Sequence, residues 1–344
     1  MSYRYLGNKT KLTDWILEII SDLVPTEARV ADPMCGTGAV SEAFANNGHF
    51  VLAADVLKFP TLHAKARLNF TGEADFSVVG LTNYQDAVNI LNDLPGIKGL
   101  FWVEYSAAGQ PANSSKPRRY FTGENAAKID AIRRQILAWR RAGLKDEVAD
   151  VLLHDLILAV NRVANIMGTY GYYRTSWNRE SLKPLKIIPS KASPYAGVKH
   201  RILHGRVQEL VAQINTCDVC YLDPPYTKRQ YGGNYHILET IAQEDEPEPA
   251  GEGGLRDWRP KASDFCYKRK APGAFRDVLQ RLTVPLVLVS YSTDGQILPN
   301  DLTALLSEYG HVTRHEISFT RFDSNGRGGP KKPLQEHLYV LERS

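Results

Sequence analysis

Hydrophobic positions near the start of the chain repeat first at helical spacing and then at strand-like spacing. Between residues 12 and 23 apolar residues recur every three or four positions, and Pro25 ends the run, which predicts an amphipathic helix. A short apolar run at residues 30–31 follows, then a glycine-rich turn, a helix through Phe44 and a second apolar run at residues 50–56. This order of strand, glycine turn, helix and strand predicts a βαβ unit.

The pattern becomes mostly helical between about residues 57 and 200. Two long helices are predicted there, over residues 123–143 and 146–168, and a polar, aromatic loop is predicted over residues 169–184. This segment is therefore interpreted as a helical insertion.

Strand-like runs return after residue 200. They read "CDVCYLD", "VPLVLVSYS", "HEISFTRF" and "EHLYVLE". The last two are predicted to pair as an antiparallel hairpin across residues 323–333. We therefore predict an α/β core formed by residues 1–56 and 201–344, which is interrupted by the insertion at residues 57–200. Within the core, the polar residues 244–260 are expected to form a surface loop.

The charge of the chain is unevenly distributed. The net charge is only +4, but residues 101–206 contain 18 lysine and arginine residues against 8 acidic ones, or +10, which leaves −6 for the rest. A basic segment in an otherwise acidic protein favours a polyanionic partner such as nucleic acid. A helical segment with solvated charges is the alternative.

Cysteine spacing and hydropathy argue against several classes of protein. Four scattered cysteines are too few for a disulfide framework, and Cys217 and Cys220 lack a second pair at zinc-binding spacing, so no metal site is expected. No apolar run approaches the roughly 20 residues that cross a bilayer, and the first residues lack the apolar stretch of a signal peptide. A cytoplasmic protein without membrane association is expected.

The stretch "DPMCGTG" (32–38) places Gly36 and Gly38 in the turn between the first strand and its helix. Glycines there allow a tight turn and close approach of a ligand to the backbone. Ser41 stands where dinucleotide-binding proteins carry a third glycine, so the pattern favours a nucleoside-type cofactor without a pyrophosphate. Asp55, at the end of the next strand, suits a contact with ribose hydroxyls, and a helix N-cap is the equal alternative.

The stretch "DPPY" (223–226) ends a buried strand with one acid, two prolines and one aromatic ring. The prolines fix φ and withhold backbone donors, so the acceptor geometry of Asp223 and of the Pro224 carbonyl is preset. A merely rigid turn would not explain an acid beside a ring. The corner is therefore interpreted as a catalytic site.

Three stretches in a fixed order, "YLGNK" (5–9), "DPMCGTG" and "DPPY", carry a family resemblance. In that order the chain resembles the amino-group DNA methyltransferases, in particular the Dam-like, alpha-group adenine-N6 class of restriction–modification systems. The resemblance covers most of the chain. It implies a Rossmann-like, S-adenosylmethionine-dependent methyltransferase sheet with an inserted, mostly helical DNA-recognition domain. It also implies double-stranded DNA as a partner and allows a cognate restriction endonuclease.

The resemblance implies roles residue by residue. Asp223 and Pro224 are expected to accept hydrogen bonds from an adenine amino group, so that the lone pair of the nitrogen points at a sulfonium methyl group. Tyr226 is expected to stack on the base after it leaves the duplex. The residues expected to bind the cofactor S-adenosyl-L-methionine are Tyr5, Lys9, Asp32, Gly36, Gly38, Asp55 and Asp223.

Basic and aromatic residues in the insertion and in the loop after "DPPY" are expected to contact DNA. The residues predicted for this contact are Arg118, Arg119, Arg133, Arg174, Arg179, Lys228, Arg229 and Tyr231. Arginines and lysines would contact phosphates, and the aromatic, polar stretch 170–179 has the side chains needed to read base edges. For any single residue, core packing or a solvated surface is an equal alternative, and the group carries the prediction.

Related activities differ at the first position of the "DPPY" corner. Cytosine-N4 methyltransferases usually have serine there, and protein-glutamine methyltransferases asparagine, so Asp223 argues against both. An RNA adenine methyltransferase and a non-catalytic DNA-binding subunit of the same fold stay open as alternatives. The expected function is transfer of a methyl group to adenine N6 at a specific sequence in duplex DNA.

Overall fold

The computed structural model describes residues 5–319 and 334–343. The described residues form two compact units. The first, called the sheet unit below, contains residues 7–64, 200–230, 261–319 and 334–343. The second, called the helical unit, contains residues 5–6, 65–199 and 231–260.

The described part of the sheet unit contains one seven-stranded sheet. Its strands are β1 (Arg29–Asp32), β2 (Phe50–Asp55), β3 (Arg201–His204), β4 (Val219–Leu222), β5 (Leu286–Ser292), β6 (Gly310–Phe319) and β7 (Leu334–Arg343). They lie in the order β3-β2-β1-β4-β5-β7-β6. The first five are parallel, while β7 is antiparallel to both β5 and β6.

This sheet confirms the predicted Rossmann-like α/β fold with an antiparallel final hairpin. The hairpin connection predicted at residues 323–333 lies outside the described residues. The central parallel strands are buried on both faces, which explains why β4 and β5 appear in the sequence as continuous apolar runs. Strand β3 is a partly exposed edge strand, "RILH", and no apolar run announces it.

The strand order reverses between β1 and β4, and this reversal positions the candidate site. These two strands are adjacent and parallel, with Ala31 paired to Cys220. Because parallel strands end at the same edge of a sheet, the glycine turn after β1 and the "DPPY" corner after β4 lie side by side. In open α/β sheets ligands bind at such a reversal, beyond the carboxyl ends of the strands.

Helices cover the sheet. They are α1 (Thr13–Ile20), α2 (Ala39–Asn46), α3 (Lys58–Asn69), α8 (Val211–Ile214), α11 (Ala271–Arg281) and α12 (Pro299–Ser307). The boundary between the two units falls inside α3, after Ala64. On one face of the sheet, apolar side chains of α8, α11 and α12 pack on β4, β5 and β7 in a continuous buried cluster that also contains Tyr226 and Tyr291.

The helical unit is mostly α-helical, as predicted. Its helices are α4 (Tyr84–Asp93), α5 (Leu100–Tyr105), α6 (Gly123–Arg141), α7 (Asp146–Val163), α9 (Tyr231–Asn234) and α10 (His236–Gln243). Helix α6 begins where predicted because the Thr122 hydroxyl accepts a hydrogen bond from the Asn125 amide. Helix α7 ends five residues earlier than predicted. The backbone turns extended at Ala164, and the Asn165 amide instead donates to the Tyr120 carbonyl.

The bounds of the helical unit differ from those of the predicted insertion. Residues 57–64 cluster with the sheet, whereas residues 5–6 and 231–260, expected to belong to the core, cluster with the helices. For residues 231–260 the physical reason is packing. Helix α10 lies against α7, and its His236 ring, fully buried, hydrogen-bonds the Tyr170 carbonyl at 2.9 Å.

Candidate active site at the ends of the central strands

The glycine turn between β1 and α2 depends on backbone angles that only glycine adopts easily. Gly36 and Gly38 have φ values of +50° and +75°, and Gly38 is the N-cap of α2. The turn is closed by hydrogen bonds from the Gly38 amide to the Cys35 carbonyl (2.7 Å) and from the Cys35 amide to the Ala54 carbonyl (2.9 Å). The turn is thus fixed against the neighbouring strand β2.

Asp55, at the end of β2, is buried and fixes the same turn. One carboxylate oxygen accepts a hydrogen bond from the Gly36 amide at 3.1 Å, and the other accepts from the Leu57 amide at 2.9 Å. The ribose contact considered from the sequence stays a prediction, since these bonds do not test it. They hold the end of β2 against the backbone of the glycine turn.

Asp32, at the end of β1, is buried and only half satisfied. Its Oδ2 accepts a hydrogen bond from the Ser41 hydroxyl at 2.6 Å, whereas its Oδ1 has no hydrogen-bond partner among the described residues. Burial, opposed by the Ser41 hydrogen bond, raises the pKa of Asp32 to about 7. A buried acceptor without a partner is unusual and suits a donor group of a ligand.

Asp223, just beyond β4, forms an ion pair with Lys9. The Lys9 side chain is only 4% exposed, and its ammonium lies 3.0 Å from Asp223 Oδ1. Burial raises the pKa of Asp223, and the attraction of Lys9 opposes that rise. Burial by itself would lower the pKa of Lys9, but the attraction of Asp223 and Glu336 raises it overall above its ordinary value. At neutral pH Lys9 is therefore charged.

Tyr226, the last residue of the corner, is held at both ends and is 6% exposed. Its hydroxyl donates a hydrogen bond to Glu336 Oε1 at 3.0 Å, and its carbonyl accepts one from the Gln296 amide at 3.0 Å. The Lys9 ammonium lies 5.1 Å from the ring centroid, and Tyr291 packs edge-on at 5.6 Å. Its ring orientation is therefore set by the hydrogen bond of the hydroxyl and by the contacts with Lys9 and Tyr291.

Lys228 and Arg229, in the loop that follows, have exposed side chains. The next residue anchors the loop. The Gln230 side chain donates to the Ser263 carbonyl at 2.9 Å and accepts from the Ser263 amide at 2.8 Å. The two cations are thus presented to solvent from a fixed segment of the sheet unit.

Tyr5 and Tyr231, predicted to contact the cofactor and DNA respectively, both belong to the helical unit. There they form a cluster with Tyr235. Tyr5 stacks on Tyr235 with centroids 4.9 Å apart and lies 5.4 Å from Tyr231. The Leu6 backbone completes the cluster, because its amide donates to the Tyr235 hydroxyl and its carbonyl accepts from the Tyr231 hydroxyl.

Two arginines predicted to contact DNA are buried instead. Arg118 is 0% exposed, forms an ion pair with Glu104 and donates to the carbonyls of Gly251 (3.0 Å) and Glu252 (3.2 Å). Arg133 is also buried, because its guanidinium lies 4.8 Å from the Phe101 centroid and donates to a backbone carbonyl at 2.7 Å. The predicted phosphate contacts of Arg118 and Arg133 are therefore wrong, since both charges serve the interior of the helical unit.

Arg119, Arg174 and Arg179 have exposed side chains, as a DNA contact requires. Arg119 donates to the Thr175 carbonyl at 3.1 Å, which holds its stretch against the aromatic loop. In that loop Tyr172 and Tyr173 stack at 4.5 Å, and Tyr172 is 47% exposed. Arg119 thus lies against a loop of the helical unit that exposes the Tyr172 ring.

Glu336 is a site residue that the sequence reading missed. No motif marks it, because its position depends on the antiparallel pairing of β7 with β5, where Glu336 lies opposite Ser292 at the carboxyl end of β5. All four cysteines are free and buried. Within residues 5–319 and 334–343 no group of three or more potential ligands could hold a metal ion. No helix in the same ranges is both long and apolar enough to span a bilayer.

The sequence is similar to a protein family and to several known proteins. Residues 5–284 match the model of a family described as D12 class N6 adenine-specific DNA methyltransferase. The Type II methyltransferase M.FokI of Planomicrobium okeanokoites is 33% identical over 99% of this chain and 52% of its own length. The Type II methyltransferase M.NlaIII of Neisseria lactamica is 28% identical over 99% of both chains. The modification methylase StsI of Streptococcus sanguinis is 30% identical over 99% of this chain. The chain spans about half the length of M.FokI and of StsI.

Proposed function

The chain belongs to the D12 class N6 adenine-specific DNA methyltransferase family, and we propose that it transfers a methyl group from S-adenosyl-L-methionine to the N6 amino group of adenine in a specific duplex sequence. One observation carries the proposal within the sheet unit. Asp223 stands at the end of β4, paired with a buried lysine, directly beside the strand that leads into the glycine turn. A carboxylate and a ligand-binding turn thus share one edge of the sheet.

The corner after β4 supplies what an amine nucleophile needs. The lone pair of an exocyclic adenine amine is delocalised into the ring, so the nitrogen attacks poorly unless hydrogen-bond acceptors draw its protons out of that geometry. Asp223 and the Pro224 carbonyl are the acceptors in this proposal, and the two prolines keep them in place. Transfer would form a bond between the target nitrogen and the methyl carbon while the bond from that carbon to the sulfonium sulfur breaks, and the departing sulfur would become a neutral thioether. The nitrogen would become positively charged and then release a proton to solvent. An acidic surrounding stabilises that charge.

The residues around the glycine turn fit the proposed cofactor. S-adenosylmethionine, when bound, supplies an activated methyl group on a positively charged sulfur and also carries an ammonium group. The buried, unpartnered Asp32 Oδ1 suits a cationic donor, and Gly36 and Gly38 leave the backbone open to close approach. Asp55 acts by fixing this turn. For Lys9, the contacts with Asp223 and Glu336 favour charge compensation over direct contact with the cofactor. The cofactor contact of Tyr5 stays a prediction.

DNA would be bound through the exposed cations and aromatic rings. The base must leave the duplex before its amino group can reach Asp223, and Tyr226 is proposed to contact it there. Phosphate contacts are proposed for Arg119, Arg174, Arg179, Lys228 and Arg229, all of which are exposed. Tyr231 stays a predicted contact. We also propose that the sheet carries out catalysis and that the inserted helical region recognises the target sequence. A cognate restriction endonuclease is a further proposal, suggested by the Type II relatives.

Substitution of Asp223 tests the proposed function. Wild type, Asp223→Ala and a control, Asp277→Ala, would be expressed in cells that lack adenine methylation. Asp277 is an exposed acid on α11 and lies outside the site. We expect N6-methyladenine at one sequence motif with wild type and with the control, and none with Asp223→Ala. The Asp223→Ala protein should still bind duplex DNA. Methylation that survives in this variant, or methyl groups found on cytosine N4, would contradict the proposal.

A further inference from the structure

Glu336 is a buried acid behind the catalytic corner and carries no role in the reaction described so far. It lies in β7, is 2% exposed and belongs to the same unit as Asp223. Burying a carboxylate costs several kcal/mol unless it is paired and hydrogen-bonded. Two contacts of Glu336 offset that cost.

The first contact fixes the aromatic ring of the corner. Glu336 Oε1 accepts the hydroxyl proton of Tyr226 at 3.0 Å in a buried environment. A hydrogen bond to an ionised acceptor is about twice as strong as a neutral one. With Tyr291 packed edge-on against the same ring, this bond determines the direction in which Tyr226 presents its face.

The second contact balances the charge of Lys9. Glu336 Oε2 lies 3.9 Å from the Lys9 ammonium and has no hydrogen-bond partner among the described residues. The ammonium is closer to Asp223, at 3.0 Å. One lysine therefore faces two carboxylates, and with all three groups ionised their net charge is −1. Without Glu336 the net charge would be zero, and Lys9 would neutralise Asp223 alone.

We propose that Glu336 is a positioning residue for methyl transfer, which fixes the ring of Tyr226 through its hydroxyl and shares Lys9 with Asp223. This inference rests on the proposed function. Because Lys9 is shared, Asp223 keeps acceptor capacity for the target amine. The residual negative charge also lies next to the nitrogen that becomes positive during transfer. Both effects act on the rate of the methylation step rather than on DNA affinity.

Three variants and a control separate these effects. Glu336→Gln removes the charge and keeps the shape, Tyr226→Phe removes only the hydroxyl, and the third variant combines both changes. Tyr339→Phe is the matched control, because Tyr339 is also buried, lies on β7 and donates its hydroxyl to the Pro299 carbonyl at 3.4 Å, outside the site. For each protein, single-turnover methylation, KM for DNA, the melting temperature and the fluorescence of 2-aminopurine at the target position would be measured.

The expected results follow from the two contacts. Removing a direct contact with the transition state lowers the rate about 10²–10³-fold. Glu336 acts through Tyr226 and Lys9 and not by direct contact, so Glu336→Gln should lower the single-turnover rate by on the order of tenfold. KM for DNA should change little, and the 2-aminopurine signal should shift in both single variants, because the hydrogen bond that orients the ring is weakened in Glu336→Gln and lost in Tyr226→Phe. In the double variant the second change should cost less than it does alone, since Glu336→Gln weakens and Tyr226→Phe removes the same hydrogen bond. Tyr339→Phe should methylate at the wild-type rate.

Several outcomes would overturn the inference. A wild-type single-turnover rate in Glu336→Gln, together with a lower melting temperature, would show a purely structural role. If the rate losses of the two single changes simply added in the double variant, Glu336 would not act through Tyr226 as proposed. If Glu336→Gln fails to fold, a wild-type rate and fluorescence signal in Tyr226→Phe would still refute the inference. Absence of methylation by wild type itself would instead refute the proposed function.

Discussion

Arg118 and Arg119 are adjacent in sequence, yet replacing each with methionine should have opposite consequences. Arg118 is completely buried and paired with Glu104, whereas Arg119 is exposed. Methionine keeps most of the unbranched stem of the side chain and removes its charge and hydrogen-bond donors. We expect Arg118→Met to lower stability without a specific effect on DNA binding, and Arg119→Met to weaken DNA binding without lowering stability.

The size of the Arg118 effect can be worked out from its contacts. Removing one partner of a buried ion pair leaves the other charge uncompensated and costs about 3–5 kcal/mol. Here the carbonyls of Gly251 and Glu252 lose their donors as well. At about 2–4 °C per kcal/mol for a unit of this size, the melting transition of the helical unit should fall by roughly 6–20 °C. A surface change such as Arg119→Met should stay within about 0.5 kcal/mol.

Two assays distinguish the variants. Calorimetry gives the melting transition of each protein, and DNA binding measured over a series of salt concentrations gives the slope of log affinity against log salt. Arg119→Met should flatten that slope by about 0.9 if it removes one phosphate contact. Arg118→Met, measured below its melting transition, should keep the wild-type slope.

A third variant and a reversed result complete the test. Glu104→Gln combined with Arg118→Met removes both charges, so it should recover much of the lost stability. If Arg118→Met melted like wild type and flattened the salt slope, Arg118 would have to face DNA, and the reasoning from its burial would be refuted.

Two further predictions concern the loop near Arg118 and the acid at the end of β1. Gly254 and Gly251 both have left-handed backbone, with φ of +64° and +69° respectively. A Cβ added at Gly254 would lie 2.8 Å from Arg118 Nε, whereas a Cβ added at Gly251 would contact nothing within 4 Å. Both changes to alanine should cost about 1–2 kcal/mol for the backbone, and chemical denaturation should show a larger loss for Gly254→Ala; equal losses would contradict the clash. Burial raises the pKa of Asp32 from 3.8 to about 7, so the ligand-free native state retains a proton that the unfolded chain releases. The free energy of unfolding should therefore fall as pH rises between these values, and Asp32→Asn should flatten that fall in urea titrations; an unchanged pH dependence would contradict it.

The fold could be predicted largely because its central strands are buried on both faces. Strands β4 and β5 then need continuous apolar sequence, and the turns that follow them carry glycine or proline, so both strand and turn are visible locally. Strand β3 carries no such signal, since an edge strand tolerates the exposed ends of "RILH". The chain bounds of the two units were harder to predict, because the packing of α10 on α7 joins segments more than 70 residues apart.

The burial of Arg118 could not be predicted from composition. Arginine is almost never fully buried unless paired, and its partner Glu104 lies 14 positions earlier, on α5, with no local pattern linking them. In "RRY" the outer residues, Arg118 and Tyr120, are both buried while Arg119 between them is exposed. A prediction of DNA contacts from the density of positive charge alone therefore included arginines that are buried.

Three buried acids lie near the ends of β1, β4 and β7, and burying their charges lowers the stability of the fold. Asp32, Asp223 and Glu336 are all acids whose pKa values are raised above the ordinary range by burial, and Lys9 is the cation that Asp223 and Glu336 share unequally. A fold optimised only for stability would replace such a cluster with apolar residues of similar volume, since that exchange is often neutral or stabilising. Local rules are broken in this way mainly where function requires it. In the proposed function, a positively charged methyl donor and an amine that becomes positive during transfer would both reduce this cost, which would account for an acid-rich cluster at the proposed ligand-binding edge of the sheet.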